Sequence, residues 1–209
     1  MLLLHNRKKP SVHQSAYVAP TATVCGDVTI GPGSRVMFGA CVISEGQSVV
    51  LGENCVVMEN AVIRGTDSHR TVIGAHCLIG PQAHLAGCTL EDCVFIATGA
   101  CILHGAYVEF GVEVRVHAVV HLRTRVPAHM VVPIGWVAVG EPVSLLPPDQ
   151  HESIWAAQKP LDFPKFVYGV ERAAEGETNM TQITARRSRI LGDHQHDLVL
   201  DRDGSERQP

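Results

Sequence analysis

IGPQAHLAGCTL, residues 79–90, sets Ile79 and Leu85 six residues apart and Leu90 only five further on. The spacing of six extends both ways: an aliphatic residue recurs from Val12 to Val132, and 16 of the 19 intervals equal six, so the repeat is the rule and the short step an exception. An amphipathic helix repeats at about 3.6 residues and a lone strand at about 2, so neither sustains this pattern. It is the hexapeptide signature of a parallel β-helix. Two positions earlier the chain is small, at Ala16, Ala22, Ser34, Ala40, Cys55, Ala61, Cys77, Ala83, Cys88, Ala100, Ala106 and Ala118. A narrow solenoid has room for one large and one small inward side chain per strand, and this second register fills it. Glycine follows the aliphatic residue at Gly31, Gly52, Gly74 and Gly80, where a corner is expected to need permissive backbone angles.

Three hexapeptides per coil make a triangular prism. Val42 to Leu51 and Ile63 to Ile73 gain residues, which must leave the prism as loops, whereas Leu85 to Leu90 loses one. Both ends of such a stack are open sheet edges that need a cover. After Val132 the chain turns, and DQHESIWAAQ reads as a helix packed back along the prism with Asp149 as its N-cap. The fold class is an all-β solenoid with a C-terminal α-helix. Residues 1–10 are a lead-in, 11–140 the prism and 141–172 the turn and helix; 173–209, polar and without repeat, read as a disordered tail. On that tail His194 and His196 form an H-x-H pair of the kind that chelates metal in a peptide.

Lys plus Arg total 17 against 21 for Asp plus Glu, and this net charge of −4 gives no electrostatic reason for nucleic acid or an anionic membrane as partner. No stretch approaches the roughly 18 apolar residues of a membrane span. MLLLHNRKKP puts its leucines before its basic cluster, the reverse of a secretory signal. The seven cysteines are therefore expected to be thiols in a reducing cytoplasm.

The register, both inserted loops, the five-residue step in LAGCTL and the VGEP before the helix together resemble the γ-class carbonic anhydrase-like family of hexapeptide proteins over roughly residues 10–160. The resemblance implies a left-handed coil, a homotrimer, and zinc bound by three histidines between adjacent subunits. Carried over position by position, it puts Arg64 at the first histidine and Pro81 and Ala86 at the other two. Ser44 and Gly46 take the places of the family's arginine and aspartate, and Met58 and Glu59 those of its glutamine and second aspartate. Proline and alanine side chains offer zinc no lone pair, and Arg64 puts a permanent charge where the ion would sit.

Counting corners stacks Arg64, Ala86, Leu103 and His121 in one column, about 4.8 Å apart per coil. The candidate catalytic residues are His84 and His121 as acid/base groups and Arg64 as an oxyanion or carboxylate clamp. Glu59, Gln82 and His69 are the candidate substrate-binding residues. His104 and His121 also read as outward-facing surface residues. No metal is assigned to the usual position. The cofactors left open are zinc at a shifted site, from His84, His69 and a neighbouring chain's His117 or His121, and coenzyme A. The expected function is that of a diverged trimer whose intersubunit cleft takes a small carbonyl, carboxylate or acyl-thioester substrate. The alternatives are a CoA-dependent hexapeptide acyltransferase and a noncatalytic trimeric scaffold.

Overall fold

The computed structural model describes residues 1–201 and 205–206. Strands of two to four residues stack into three sheets, parallel throughout the body of the prism, that form its walls. The first face begins at Leu2–Leu4 and continues through Thr23–Cys25, Cys41–Ser44, Val62–Gly65, His84–Ala86, Cys101–Ile102 and Val119–Val120 to Val137–Val139. The second face runs from Ser11–Val12 to Arg125–Val126, and the third from Tyr17–Val18 to Val131–Val132. This is the parallel β-solenoid the hexapeptides imply, the hexapeptide-repeat architecture whose left-handed coil the family resemblance leads one to expect.

Register follows the repeat. Ile63 sits beside Leu85, Leu85 beside Ile102 and Ile102 beside Val120, so identical positions stack from coil to coil. From Val24 onward every aliphatic repeat residue is buried; Val12 and Val18, on the first coil, are half-buried. Each buried aliphatic side chain stabilises the fold by about 1.5–3 kcal/mol. The small register lies opposite, with Ala22, Ala40, Cys55, Ala61, Ala83 and Ala100 fully buried. All seven cysteines are free thiols.

Gly31, Gly52, Gly74 and Gly80 do not adopt left-handed backbone angles, which corrects the reason expected for them. Their role is close approach: a Cβ on Gly31 would lie 2.5 Å from the Gly52 carbonyl oxygen, and one on Gly52 2.7 Å from the Gly74 carbonyl carbon. Left-handed angles occur two residues later, at Gly33 and Asn54 for instance.

Both ends of the first face are covered by antiparallel strands. Ser144–Leu146 pairs with Val137–Val139 at one end, and Leu198–Leu200 pairs with Leu2–Leu4 at the other. Two expected boundaries move as a result. The lead-in already belongs to the prism wall, with Leu2 beside Val24 and Leu3 beside Cys25. The tail, expected to be disordered, carries a helix at Met180–Leu191, a 3₁₀ turn at Gly192–His196 and the closing strand. Its composition is polar, but LVL satisfies backbone groups that an open edge would leave unpaired. The same expectation for residues 202–204 and 207–209 lies outside the described residues.

Among the described residues three α-helices follow the prism: α1, His151–Gln158; α2, Phe163–Tyr168; and α3, Met180–Leu191. α1 lies beside Val137–Val139 but buries no residue, and its N-cap is Gln150 rather than Asp149, with no side-chain cap. α3 is pinned by the buried Ile183. Among the described residues no helix is long and apolar enough to cross a membrane.

Candidate functional site

The three irregular intervals of the repeat all fall at one corner, where the chain passes from the first face to the second. The loops at 45–48 and 66–70 leave the prism there on successive coils, tied together by Glu45 N–H to the Gly65 carbonyl at 3.0 Å and Gln47 N–H to the Thr66 carbonyl at 2.9 Å. The short step lies directly beyond them. Gly87 turns with φ +58°, and a Cβ on it would come within 2.7 Å of the His69 Cβ. The short step and its glycine thus leave room for the 66–70 loop to pack against Gly87.

Beside this corner is a cleft of about 210 Å³ lined by Glu45, Arg64, Thr66, Asp67, His84, Ala86 and His104 from the prism and by Val167, Tyr168 and Arg187 from α2 and α3. Glu45 is its electrostatic centre, a carboxylate with 3% of its side chain exposed. Arg64 Nη1 donates to one of its oxygens, and Arg187 Nη2 donates to the other at 2.8 Å. Two guanidiniums against one carboxylate leave one positive charge at the clasp, which the Asp67 carboxylate on the same lining offsets.

Burial disfavours the protonated form of each surrounding histidine. Burial pushes the His84 imidazole below its ordinary value, and the Arg64 charge pushes in the same direction. Burial lowers His104 further, to about 4, helped by the charges that His69, His84 and Arg187 carry or would carry. Burial also lowers His69. The His69 ring stands 6.3 Å from His104 edge-on and 5.0 Å from Phe166 of α2, next to the cleft but not among its lining residues.

Of the residues singled out from the sequence, the structure therefore brings Arg64 and His84 together in the cleft, while His69 packs beside His104 without lining it. The rest are elsewhere. Glu59 and Gln82 occupy the opposite corner, between the third face and the first, so within one chain they do not line the cleft. His121 follows the strand Val119–Val120, further along the prism, and does not line the cleft either. His121 is only 6% exposed and His104 partly buried, and neither Nδ1 finds a hydrogen-bond partner among the described residues, which corrects their reading as surface groups. Glu45, Tyr168 and Arg187 were not found from the sequence. Glu45 lies in VISEG between two positions read for lost family residues, and an acidic group on the loop one coil from Arg64 was the available signal. Arg187 gave none, since its segment has no repeat to fix its place.

No family model matches the chain. It is, however, 32% identical over 204 residues to gamma carbonic anhydrase 1, mitochondrial, of Arabidopsis thaliana, an alignment covering 92% of this chain and 71% of that protein. The chain belongs to the gamma carbonic anhydrase family. A second member, gamma carbonic anhydrase 2, mitochondrial, from the same plant, is 28% identical over 184 residues, covering 85% of this chain and 59% of that one. Among solved structures, a hexapeptide transferase family protein from Anaplasma phagocytophilum shares 23% identity over 90% of this chain and 97% of its own, with a TM-score of 0.48. In this gamma carbonic anhydrase family member the loops, the short step and the Glu45 cluster all meet at one corner of the prism.

Proposed function

We propose that the protein is a cytoplasmic homotrimer that acts without the family's zinc triad, its intersubunit cleft taking a small carbonyl or acyl-thioester substrate. The observation that carries this reading is the placement of His84 beside Arg64 in one cleft, where burial holds the imidazole below its ordinary value. Within one chain the cleft offers no zinc site of the family's kind. The residues carried to its ligand positions, Arg64, Pro81 and Ala86, offer no lone pair, and among the described residues the cleft's histidines form no three-ligand group within reach of one ion. No step is therefore routed through a metal.

With a thioester, His84 accepts a proton from a water that attacks the carbonyl carbon. Arg64, one third exposed, keeps N–H groups free of Glu45 to donate to the oxygen that becomes negative. Collapse of the tetrahedral species breaks the carbon–sulfur bond, and the departing thiolate takes the proton back from His84. His84 suits the base role better than His104, whose value of about 4 makes it a weak acceptor. Trimer formation is part of the reading, because Glu59 and Gln82 can approach Arg64 only across a subunit boundary.

A second reading is favoured by Glu45. Its clasp on both arginines is also what a noncatalytic scaffold would use to close an old site. The two separate in one experiment on chelator-treated protein, measuring thermal shift and hydrolysis with a series of short acyl-CoAs and free CoA. The enzyme reading expects turnover that His84→Ala lowers by about 10²–10⁴-fold with the trimer intact. Turnover unaffected by His84→Ala removes the base assignment. No shift and no turnover with any of the thioesters replaces the enzyme with the scaffold.

A further inference from the structure

At the N-terminal end of the prism, away from the cleft, four side chains from three distant segments converge. His5 lies in the turn after Leu2–Leu4, closed by His5 and Lys8 exchanging backbone hydrogen bonds at 3.0 and 2.9 Å. Cys25 ends the neighbouring strand Thr23–Cys25. His194 belongs to the 3₁₀ turn after α3, and Asp197 follows it. His5 Nδ1 is 2.6 Å from Asp197 Oδ1, His194 Nδ1 is 2.8 Å from Oδ2, and the Cys25 thiol donates to Oδ2 at 3.4 Å. The two imidazoles stack with centroids 4.2 Å apart. One ligand atom from each residue lies within 4.8 Å of all the others.

We propose that His5, Cys25, His194 and Asp197 form a structural zinc site that clasps the C-terminal segment to the first coil of the prism.

The donor set suits the ion. Zinc takes nitrogen, sulfur and carboxylate oxygen tetrahedrally at about 2.0–2.3 Å, which places ligand atoms roughly 3.3–3.8 Å from one another. The three contacts to Asp197, at 2.6, 2.8 and 3.4 Å, lie in or below that range and no pair exceeds 4.8 Å, so the ligand atoms already sit within the span of one ion's coordination shell. Charge also balances: a divalent ion with one thiolate and one carboxylate is neutral, as a largely buried position requires. His5 and Cys25 are 4% and 1% exposed, and the Asp197 side chain 10%. Outside the ring of ligands, the Asn6 amide lies 2.9 Å from His5 Nε2. With its oxygen turned inward it would accept the Nε2–H of a metal-bound imidazole and fix that ring. Without metal, burial and the adjacent Asp197 push the Cys25 thiol up to about 12, so the thiol stays protonated until an ion displaces its proton.

A clasp has work to do here. The segment from α3 to Leu200 buries little beyond Ile183 and Leu200, yet α3 must hold Arg187 against Glu45. Zinc at its far end would fix the segment, and with it the arginine.

The test is a cobalt titration of the full-length, chelator-treated protein, followed in the near ultraviolet and visible. The expected result is one cobalt per chain with a thiolate-to-cobalt charge-transfer band and the intense d–d bands of a tetrahedral ion, all erased by added zinc. Cys25→Ser removes the charge-transfer band, and His194→Ala weakens binding at least tenfold, whereas His84→Ala in the cleft changes neither. In parallel, zinc slows tryptic cleavage at Arg186, Arg187 and Arg189 at least tenfold in the wild type and not in His194→Ala. That variant, 30% exposed at the surface, keeps the test usable if Cys25→Ser fails to fold. Absence of the charge-transfer band, or a band that survives Cys25→Ser, overturns the proposal and leaves the four residues as a hydrogen-bonded latch.

Discussion

Arg187 Nη2 meets Glu45 Oε2 at 2.8 Å across 142 residues of sequence, and that contact joins the C-terminal helix to the first inserted loop of the prism. Because Arg64 holds the other oxygen, Glu45→Gln would leave two guanidiniums facing each other with no anion between them. Breaking a fully buried pair costs about 3–5 kcal/mol, and the roughly 30% exposure of both arginines reduces this to an expected loss of about 2 kcal/mol. Urea unfolding at neutral pH reads it, and adding Arg187→Met should recover part of the loss. A wild-type unfolding midpoint in Glu45→Gln would mean that the clasp contributes nothing.

Stability should fall as the solution is acidified from about pH 6.5. His104 titrates near 4 in the folded protein against 6.5 as its ordinary value, so between those limits the unfolded chain binds a proton the folded chain refuses. The lowered value therefore favours the fold fully above pH 6.5, and the advantage drains away by up to about 1.4 kcal/mol per pH unit on the way down to 4. His84 and His69, lowered in the same direction, steepen the loss. His104→Gln should show a shallower decline between pH 7 and pH 4.5 in chemical denaturation than the wild type. Parallel slopes in the two proteins would exclude His104 as a source.

How much of this was legible in the sequence differs sharply between the prism and the cleft. Leu85, Ile102 and Val120 could be placed on one line because a period of six leaves no freedom: each turn of the prism repeats the geometry of the last. The corner with the two loops and the short step was legible for the same reason, as a departure from that period. Arg187 was not, because a chain leaving the repeat carries no register, and only folding decides where it returns. The closing strand Leu198–Leu200 shows the same limit from another side. Three apolar residues in a polar tail are unremarkable until the open edge at Leu2–Leu4 demands a partner. The open edge itself was foreseeable; which segment would cover it was not.

Gly87→Ala tests whether the short step exists to seat the His69 loop. The added methyl would face the His69 Cβ at 2.7 Å on a backbone already at φ +58°. Left-handed strain of about 1–2 kcal/mol and overpacking of similar size give an expected destabilisation of about 2–3 kcal/mol. The loop should move with it, and hydrogen exchange at residues 66–70 should accelerate while strands on the third face keep their protection. Uniform exchange across the prism would mean that the substitution loosens the fold rather than the loop.

The last prediction concerns the apolar groove on the third face, about 460 Å³, lined by Met58, Leu78, Pro81, Phe95, Val116 and Ile134. Leu78 is 38% exposed and Ile134 68%, a costly arrangement for a lone chain. A second copy is the occupant that fits the proposed trimer, because Pro81 adjoins Gln82 and the same corner carries Glu59, the groups that in that proposal approach Arg64 and His84 across a subunit boundary. Each large side chain covered there would favour assembly by about 1.5–3 kcal/mol, repeated at three symmetric contacts in a trimer. If the proposed trimer uses this groove, Leu78→Glu with Ile134→Glu should sediment as a monomer at concentrations where the wild type assembles, with the far-ultraviolet spectrum of the prism retained. If the proposed cleft chemistry is intersubunit, the same variant should lose thioester turnover while its Glu45 clasp still resists urea. A trimer that survives both charges would place the interface on another face and detach Glu59 and Gln82 from the site.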